Sequence, residues 1–247
     1  ERPDILRAME RTDGRNALEL RPVSMEPGFQ VHAEGSVLIS TGITRVLCAV
    51  SVEERVPGWL RGTGAGWVTA EYSMLPRATN TRTSREHAST GGRSQEIQRL
   101  IGRSLRAVVD LDRLGERSFT VDCDVIQADA GTRTAAITGS YVALYLAMEQ
   151  MVRDGQLGAV PMNAAVAATS VGVVEGEVLL DLCYEEDSRA DVDANLVRTS
   201  TGEYVEVQST AEGAAFSRDL LSQILNAADS GIDELFKIQE SVIASVV

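Results

Sequence analysis

Thr132 and Arg133 follow Gly131 at the point where an alternating stretch gives way to a helical one. That combination suits an anion. Over Ser118–Gly139 (SFTVDCDVIQADAGTRTAAITG), Phe119, Val121, Cys123 and Val125 alternate with Thr120, Asp122 and Asp124, the period of a strand with one buried face. From Arg133 onward, Ala and Ile at helical spacing predict a helix. A strand turning through Gly131 into a helix leaves backbone N–H groups free at the positive end of the helix dipole. Thr132 adds a hydroxyl donor, and Arg133 a two-pronged guanidinium suited to phosphate. The expectation is a site for inorganic phosphate or a phosphoryl group. The local pattern is equally that of an ordinary strand–helix turn with a surface arginine.

A second arginine points the same way. Ile97, Leu100, Ile101, Leu105, Val108 and Val109 form one apolar stripe after Gly91-Gly92, and Arg93 stands at the start of that predicted helix. A cation there opposes the dipole unless an anion is bound as well. The third group is acidic. In Glu185-Glu186-Asp187-Ser188-Arg189-Ala190-Asp191-Val192-Asp193, Asp187 and Asp193 converge if the loop folds back, and two carboxylates suffice for Mg²⁺. Such a run also serves as plain solvated surface. With only His32 and His87, and no Ser–His–Asp or Cys–His set, the chemistry needs no side-chain base. Phosphoryl transfer, which rests on positioning and charge neutralisation, fits.

The 247 residues, 44% of them hydrophobic, are enough for one large domain with a sizeable core. Aromatic residues make up 4%, so that core must be mainly aliphatic. No apolar run reaches the ~20 residues of a membrane span, and the charged N-terminal stretch has no signal-peptide core. Cys48, Cys123 and Cys183 lie in apolar runs without zinc-ligand spacing, as buried free thiols of a reducing cytoplasm would. The net charge of −13 excludes a general nucleic-acid coat. Its distribution matters more. Residues 77–117 hold nine arginines against five acids, a local +4 that leaves −17 elsewhere. Lys237 is the one lysine.

The positioning elements are read in chain order. Residues 1–27 read as a draped arm broken at Pro22 and Pro27. Strands are expected at 29–33, 36–40, 43–52 and 66–72, with a loop over 57–66. Residues 75–92 read as a solvated Ser/Thr/Gly loop carrying Arg77, Arg82 and Arg85, either a basic arm for phosphates or a solubilising loop. The second half is expected to hold hairpins over 164–184 and 195–208, turning at Gly176 and Gly202. A C-terminal helix follows, capped by Ser217 and interrupted at Gly231. The echo of EGSVL (34–38) in EGEVL (175–179) hints at an internal duplication.

Taken together, the chain resembles the ribonuclease PH family from about Asp13 to Gln239. The resemblance is carried by HAEGSVLI (32–39), TRVLCAVSVEERVPGWL (44–60), GWVTAEYSMLPRAT (66–79), GGRSQEIQRLIGRSLRAVVDL (91–111), DCDVIQADAGTRTAAITG (122–139), YEEDSRADVD (184–193) and EVQSTAEG (206–213). It implies an α+β fold: a two-layer sandwich of mixed β-sheets and helices with duplicated halves. On that reading 1–247 form a single domain, its halves at 13–155 and 156–247. It implies a phosphate-dependent 3′→5′ exoribonuclease that trims tRNA precursors in the cytoplasm and assembles as a homo-hexamer, a trimer of dimers. By resemblance, Arg93, Gly131, Thr132 and Arg133 bind phosphate. Asp187 and Asp193 serve catalysis and bind Mg²⁺, with Mn²⁺ as the alternative, and Arg133 shares the catalytic role. Arg77, Arg82 and Arg85 line the RNA path. A non-catalytic RNA-binding ring subunit of the same fold is the alternative, and a nucleotide phosphotransferase a weaker third. Three departures stand out. The family usually has Gly where Ala130 and Ser209 stand, and the 85–93 loop is about two residues shorter. A positive φ at 130 would strain the alanine.

Overall fold

A computed structural model describes residues 11–85 and 91–247. Residues 1–10 of the expected arm and residues 86–90 of the basic loop, with His87, lie outside the described residues.

The alternation read over the central stretch is that of β5, Ser118–Gln127. It is the fourth strand of a five-stranded sheet ordered β1-β2-β3-β5-β4. The others are β1 (Val23–Pro27), β2 (Gly35–Thr41), β3 (Thr44–Glu53) and β4 (Trp67–Met74). Four run antiparallel in succession; β4 joins β5 in parallel. That parallel pair requires a crossover, supplied by α1 (Gly92–Arg106), whose apolar stripe packs on β4. A second, antiparallel sheet is ordered β7-β6-β8-β9. Its strands are β6 (Val166–Val174), β7 (Glu177–Leu180), β8 (Val192–Thr199) and β9 (Tyr204–Ala211). Between the sheets lies α2 (Thr132–Arg153), which packs on β2, β3 and β6. Its faces are buried nearly all round, the property of a helix sandwiched between layers. A single turn, α3 (Tyr184–Asp187), precedes β8, and α4 (Arg218–Ala244) covers the second sheet. The architecture is α+β with two sheets and helices, and the core is aliphatic apart from Tyr72, Phe119 and Tyr141. All three cysteines are free and buried.

Three sequence expectations need correction. The segment 29–33 is not a strand; β1 forms inside the supposed arm instead. Its prolines do not prevent this, because β1 pairs on one side only and Pro27 ends it, where a missing N–H costs least. The strand expected to run on to Tyr184 stops at Leu180, and Tyr184 begins α3. Gly231 does not interrupt α4: a Cβ there would stand 2.8 Å from Leu180 Cδ1, so the glycine lets the helix lie close against β7. The two EGxVL segments take different roles. Gly35 lies inside β2, where a Cβ would stand 2.2 Å from the Ala143 carbonyl oxygen, whereas Gly176 makes a left-handed turn before β7. Ser217 caps α4 as expected, its hydroxyl accepting the Leu220 N–H at 3.1 Å.

Ser209 sits opposite Ala194 in the β8–β9 ladder, and its buried hydroxyl has no partner among the described residues. An unpaired buried hydroxyl costs about 1 kcal/mol or more. Ser209→Ala is expected to raise the thermal midpoint by about 2–4 °C, the shift that ~1 kcal/mol gives a chain of this size. An unchanged midpoint in a thermal melt would show that the hydroxyl costs nothing.

Candidate active site

Two helix starts open on one cleft of about 400 Å³. The turn Asp129-Ala130-Gly131 carries β5 into α2 with Ala130 at φ 55° and Gly131 at φ 64°. Two successive left-handed residues swing the chain sharply, and residues 130–133 at the start of α2 line the cleft. The N-cap residue of each helix is a glycine, Gly131 for α2 and Gly91 for α1, with no side chain of its own to cap the end, and neither first turn holds an acid. Gly131 is required twice over: its φ favours glycine, and a Cβ would stand 2.8 Å from Arg21 Nη2. Ala130 meets the first requirement at a cost. A left-handed alanine loses about 1–2 kcal/mol, and a glycine gives back about 0.4–1 in unfolded-state entropy. Ala130→Gly is therefore expected to stabilise the chain by about 0.5–1 kcal/mol, read from the denaturant midpoint. A lower midpoint would refute the strain argument.

The cleft lining joins Arg93, Gly131, Thr132 and Arg133 with Asp187 and Asp193; Tyr184, Ser170 and Asn195 also line it. Thr132 is held by a 2.8 Å hydrogen bond between its hydroxyl and that of buried Tyr72. Arg133 Nη1 donates to Gln208 Oε1 at 2.9 Å and to Glu96 at 3.3 Å, so α2 is tied to both β9 and α1. Arg93 is exposed and makes no ion pair among the described residues.

The two acids come from different elements, Asp187 at the end of α3 and Asp193 in β8. Burial pushes both carboxyls up from the ordinary aspartate range. Asp187 raises Asp193 further, with Glu212 adding to it, while Arg93 and Arg133 pull both back. Neither acid is in an ion pair among the described residues. A half-buried acid pair facing guanidinium groups across a cleft is short of positive charge. Mg²⁺, which takes one or two carboxylates and completes its shell with water and phosphate oxygens, fits this donor set. No cluster of three or more His, Cys, Asp or Glu suited to a metal is present among the described residues.

Arg77, Arg82 and Arg85 are exposed and do not line this cleft, although Thr79 of the same segment does. The segment is better anchored than a solvated loop: Ala78 is buried, its carbonyl accepts the Ala128 N–H at 2.9 Å, and Thr83 N–H reaches Pro76 O at 2.9 Å.

Sequence reasoning missed several groups that build the site. Tyr72 reads only as a strand aromatic. Arg21 reads as the residue before a proline, yet it is buried beneath the turn and paired with Asp181 at 2.7 Å. Arg11 is fully buried in a bidentate pair with Glu186. The one available signal is that arginines in a supposed arm need a reason to be there, and the acids that supply it lie some 160–175 residues away.

Comparisons with known proteins bear on the family and the fold. Models of the 3′ exoribonuclease family match in two parts, domain 1 over residues 19–148 and domain 2 over residues 164–231. The chain is 61% identical to the ribonuclease PH of Dehalococcoides mccartyi over 236 residues, 95% of this chain and 98% of that one. It is 56% identical to that of Syntrophomonas wolfei over 238 residues, covering 95% and 99%. Among solved structures, a chain of the Archaeoglobus fulgidus exosome with RNA bound to the active site superposes with a TM-score of 0.78 at 23% identity, covering 94% and 92%. Rice Rrp46 gives 0.74 at 22%, covering 95% and 100%. At such identities the two structures speak for the fold alone.

Proposed function

We propose, for a chain that belongs to the 3′ exoribonuclease family and is a phosphorolytic 3′ exoribonuclease of the ribonuclease PH type, that inorganic phosphate meets the RNA 3′ end in the cleft between α1, α2 and α3. The observation that carries this is the convergence of two helix starts, each with a glycine at its cap, with Arg93 and Arg133, opposite an acid pair. Phosphate takes the free N–H groups at Gly131–Arg133, the Thr132 hydroxyl and the two guanidinium groups. One of its oxygens attacks the terminal phosphodiester phosphorus, and the bond to the penultimate 3′ oxygen breaks. The product is a nucleoside diphosphate, and the proton of the attacking hydrogen phosphate ends on the released 3′ hydroxyl. Two anions must approach each other, so Arg93 and Arg133 offset nucleophile charge before any proton transfer matters. Asp187 and Asp193 would hold Mg²⁺, or Mn²⁺ in its place, which supplies charge neutralisation at the reacting phosphoryl oxygens.

The same proposal covers the larger setting. The substrates are tRNA precursors, and the two halves work as one unit. The chain assembles with copies of itself as a trimer of dimers, in the cytoplasm. Assembly answers a charge problem: a chain of −13 grips RNA poorly, whereas six copies of Arg77, Arg82 and Arg85 around one opening concentrate positive charge. No helix of the described residues is long and apolar enough to cross a membrane.

The test is to incubate the protein with Mg²⁺ and a tRNA bearing extra 3′ nucleotides, with and without inorganic phosphate, and to identify the products. Nucleoside diphosphates appearing only with phosphate support the reading. Monophosphates released without phosphate would make water the nucleophile and overturn it.

A further inference from the structure

The phosphate donors and Asp187 sit on elements from opposite halves of the chain, so something must set the distance between them. The backbone path does not: the turn at 129–131 and α3 are more than fifty residues apart. One side chain bridges them. Asp129 Oδ1 accepts the Tyr184 N–H at 3.0 Å, the first N–H of α3, three residues before Asp187. The same residue begins the turn whose next members are Ala130 and Gly131.

Asp129 is itself held from two sides. Its N–H donates to Thr44 Oγ1 at 2.9 Å, and that hydroxyl donates to the Ala130 carbonyl at 2.9 Å, which fixes the turn against β3. From below, Arg21 Nη1 donates to the Asp129 carbonyl and lies 3.6 Å from its Oδ2. The rest of Arg21 is spent on Asp181: Nη2 reaches Oδ1 at 2.7 Å, Nε reaches Oδ2 at 3.0 Å, and the Arg21 backbone N–H reaches Oδ2 at 2.9 Å. Asp181 is buried and sits at φ 52° three residues ahead of Tyr184. A left-handed aspartate persists only where its surroundings over-determine it, and here three donors do so. Arg21 thus grips the turn with one arm and the approach to α3 with the other.

We propose that Asp129 is a positioning residue for phosphorolysis: its carboxylate, braced by Arg21, ties the phosphate-binding turn to the start of α3 and so fixes how far the phosphate donors stand from Asp187. This rests on the function proposed above. Asp129 touches neither phosphate nor the acid pair, and its effect runs through geometry. A displacement of about 1 Å between reacting groups can cost about 10²-fold in rate.

Asp129 is the residue to change, because it is partly exposed while Arg21 and Asp181 are buried. Asp129→Ala removes the acceptor for the Tyr184 N–H but leaves Arg21 and Thr44 on the turn. It is expected to lower kcat about 10²-fold. Binding of inorganic phosphate by calorimetry should stay within about threefold of wild type, and the melting midpoint within about 2–4 °C. Asp129→Asn keeps an oxygen acceptor at the Oδ1 position and should recover most of the lost rate. The tie is overturned if Asp129→Ala turns over like wild type, if Asn is as slow as Ala, or if the rate falls only in step with the melting midpoint. Amide hydrogen exchange over 184–187 gives an independent reading: exchange faster in Ala but not in Asn supports the tie, and unchanged exchange in Ala overturns it. That readout decides the tie even if the wild-type chain released no nucleoside diphosphate, an outcome that would sink the proposed function instead.

Discussion

Arg133→Ala is expected to lower kcat/KM for phosphorolysis about 10²–10³-fold, the usual cost of deleting one preorganised donor to developing charge. The fold should survive. The buried core face of α2 comes from Thr132, Thr134, Ala135, Ala136, Ile137 and the residues beyond them, whereas Arg133 contributes only its ties to Gln208 and the half-exposed Glu96 at the cleft. The loss should divide between the two kinetic parameters, with phosphate KM rising as a two-pronged donor is lost and kcat falling as negative charge gathers in the transition state. Arg133→Lys should lie between, since an ammonium keeps the charge without the fork. Glu96 points the other way. At 3.3 Å from Arg133 Nη1 it competes with an incoming phosphate, so Glu96→Gln is expected to lower phosphate KM by about two- to fivefold, an exposed ion pair being worth up to about 1 kcal/mol. Initial rates over a phosphate series at saturating RNA measure both. An Arg133→Ala enzyme whose RNA KM rises while phosphate KM stays fixed would take Arg133 out of the phosphate site.

The parts of this arrangement that could be read from sequence are those whose signals are local. In β5 the alternation of Phe119, Val121, Cys123 and Val125 with polar residues reports one buried face, and the Gly–Thr–Arg run after it reports an uncapped helix start. The α1 stripe is legible for the same reason. Failures arise where a local signal has two causes. Pro22 and Pro27 read as breakers, although an edge strand tolerates proline at its end. Gly231 reads as a helix break but serves close packing against Leu180.

The acidic run shows the limit most clearly. Asp187 and Asp193 line the cleft. Glu186, immediately before Asp187 in sequence, is buried against Arg11, and Glu185 is exposed. Charge and spacing alone give these acids the same description; only the path of α3 into β8 separates them. The bracing by Arg21 and Arg11 leaves no local trace, because each acidic partner is more than a hundred residues away.

Asp193→Asn is expected to abolish turnover and yet make the chain more stable at neutral pH. Burial raises the Asp193 carboxyl, and the neighbouring Asp187 raises it further. A carboxyl whose pKa is raised on folding favours the native state fully only below its unfolded value, near 3.9. That contribution is lost as pH rises through the higher folded value. Once both carboxyls are ionised, the native chain carries a half-buried, repelling acid pair, whereas asparagine carries one polar amide and leaves Asp187 alone with Arg93 and Arg133. The variant's thermal midpoint should exceed that of wild type by about 2–4 °C at pH 7, corresponding to ~1 kcal/mol, and the difference should vanish as pH falls below about 4. Mg²⁺ should reverse the order: a divalent ion bound by both acids raises the wild-type midpoint by mass action, and the variant, with one carboxylate fewer, gains less. Turnover should fall by at least about 10²-fold, because the charge that holds the metal is lost with the destabilising one. A variant less stable than wild type at pH 7, or a gain that persists at pH 3, would show that Asp193 is held by favourable contacts and that the cleft stores no such strain.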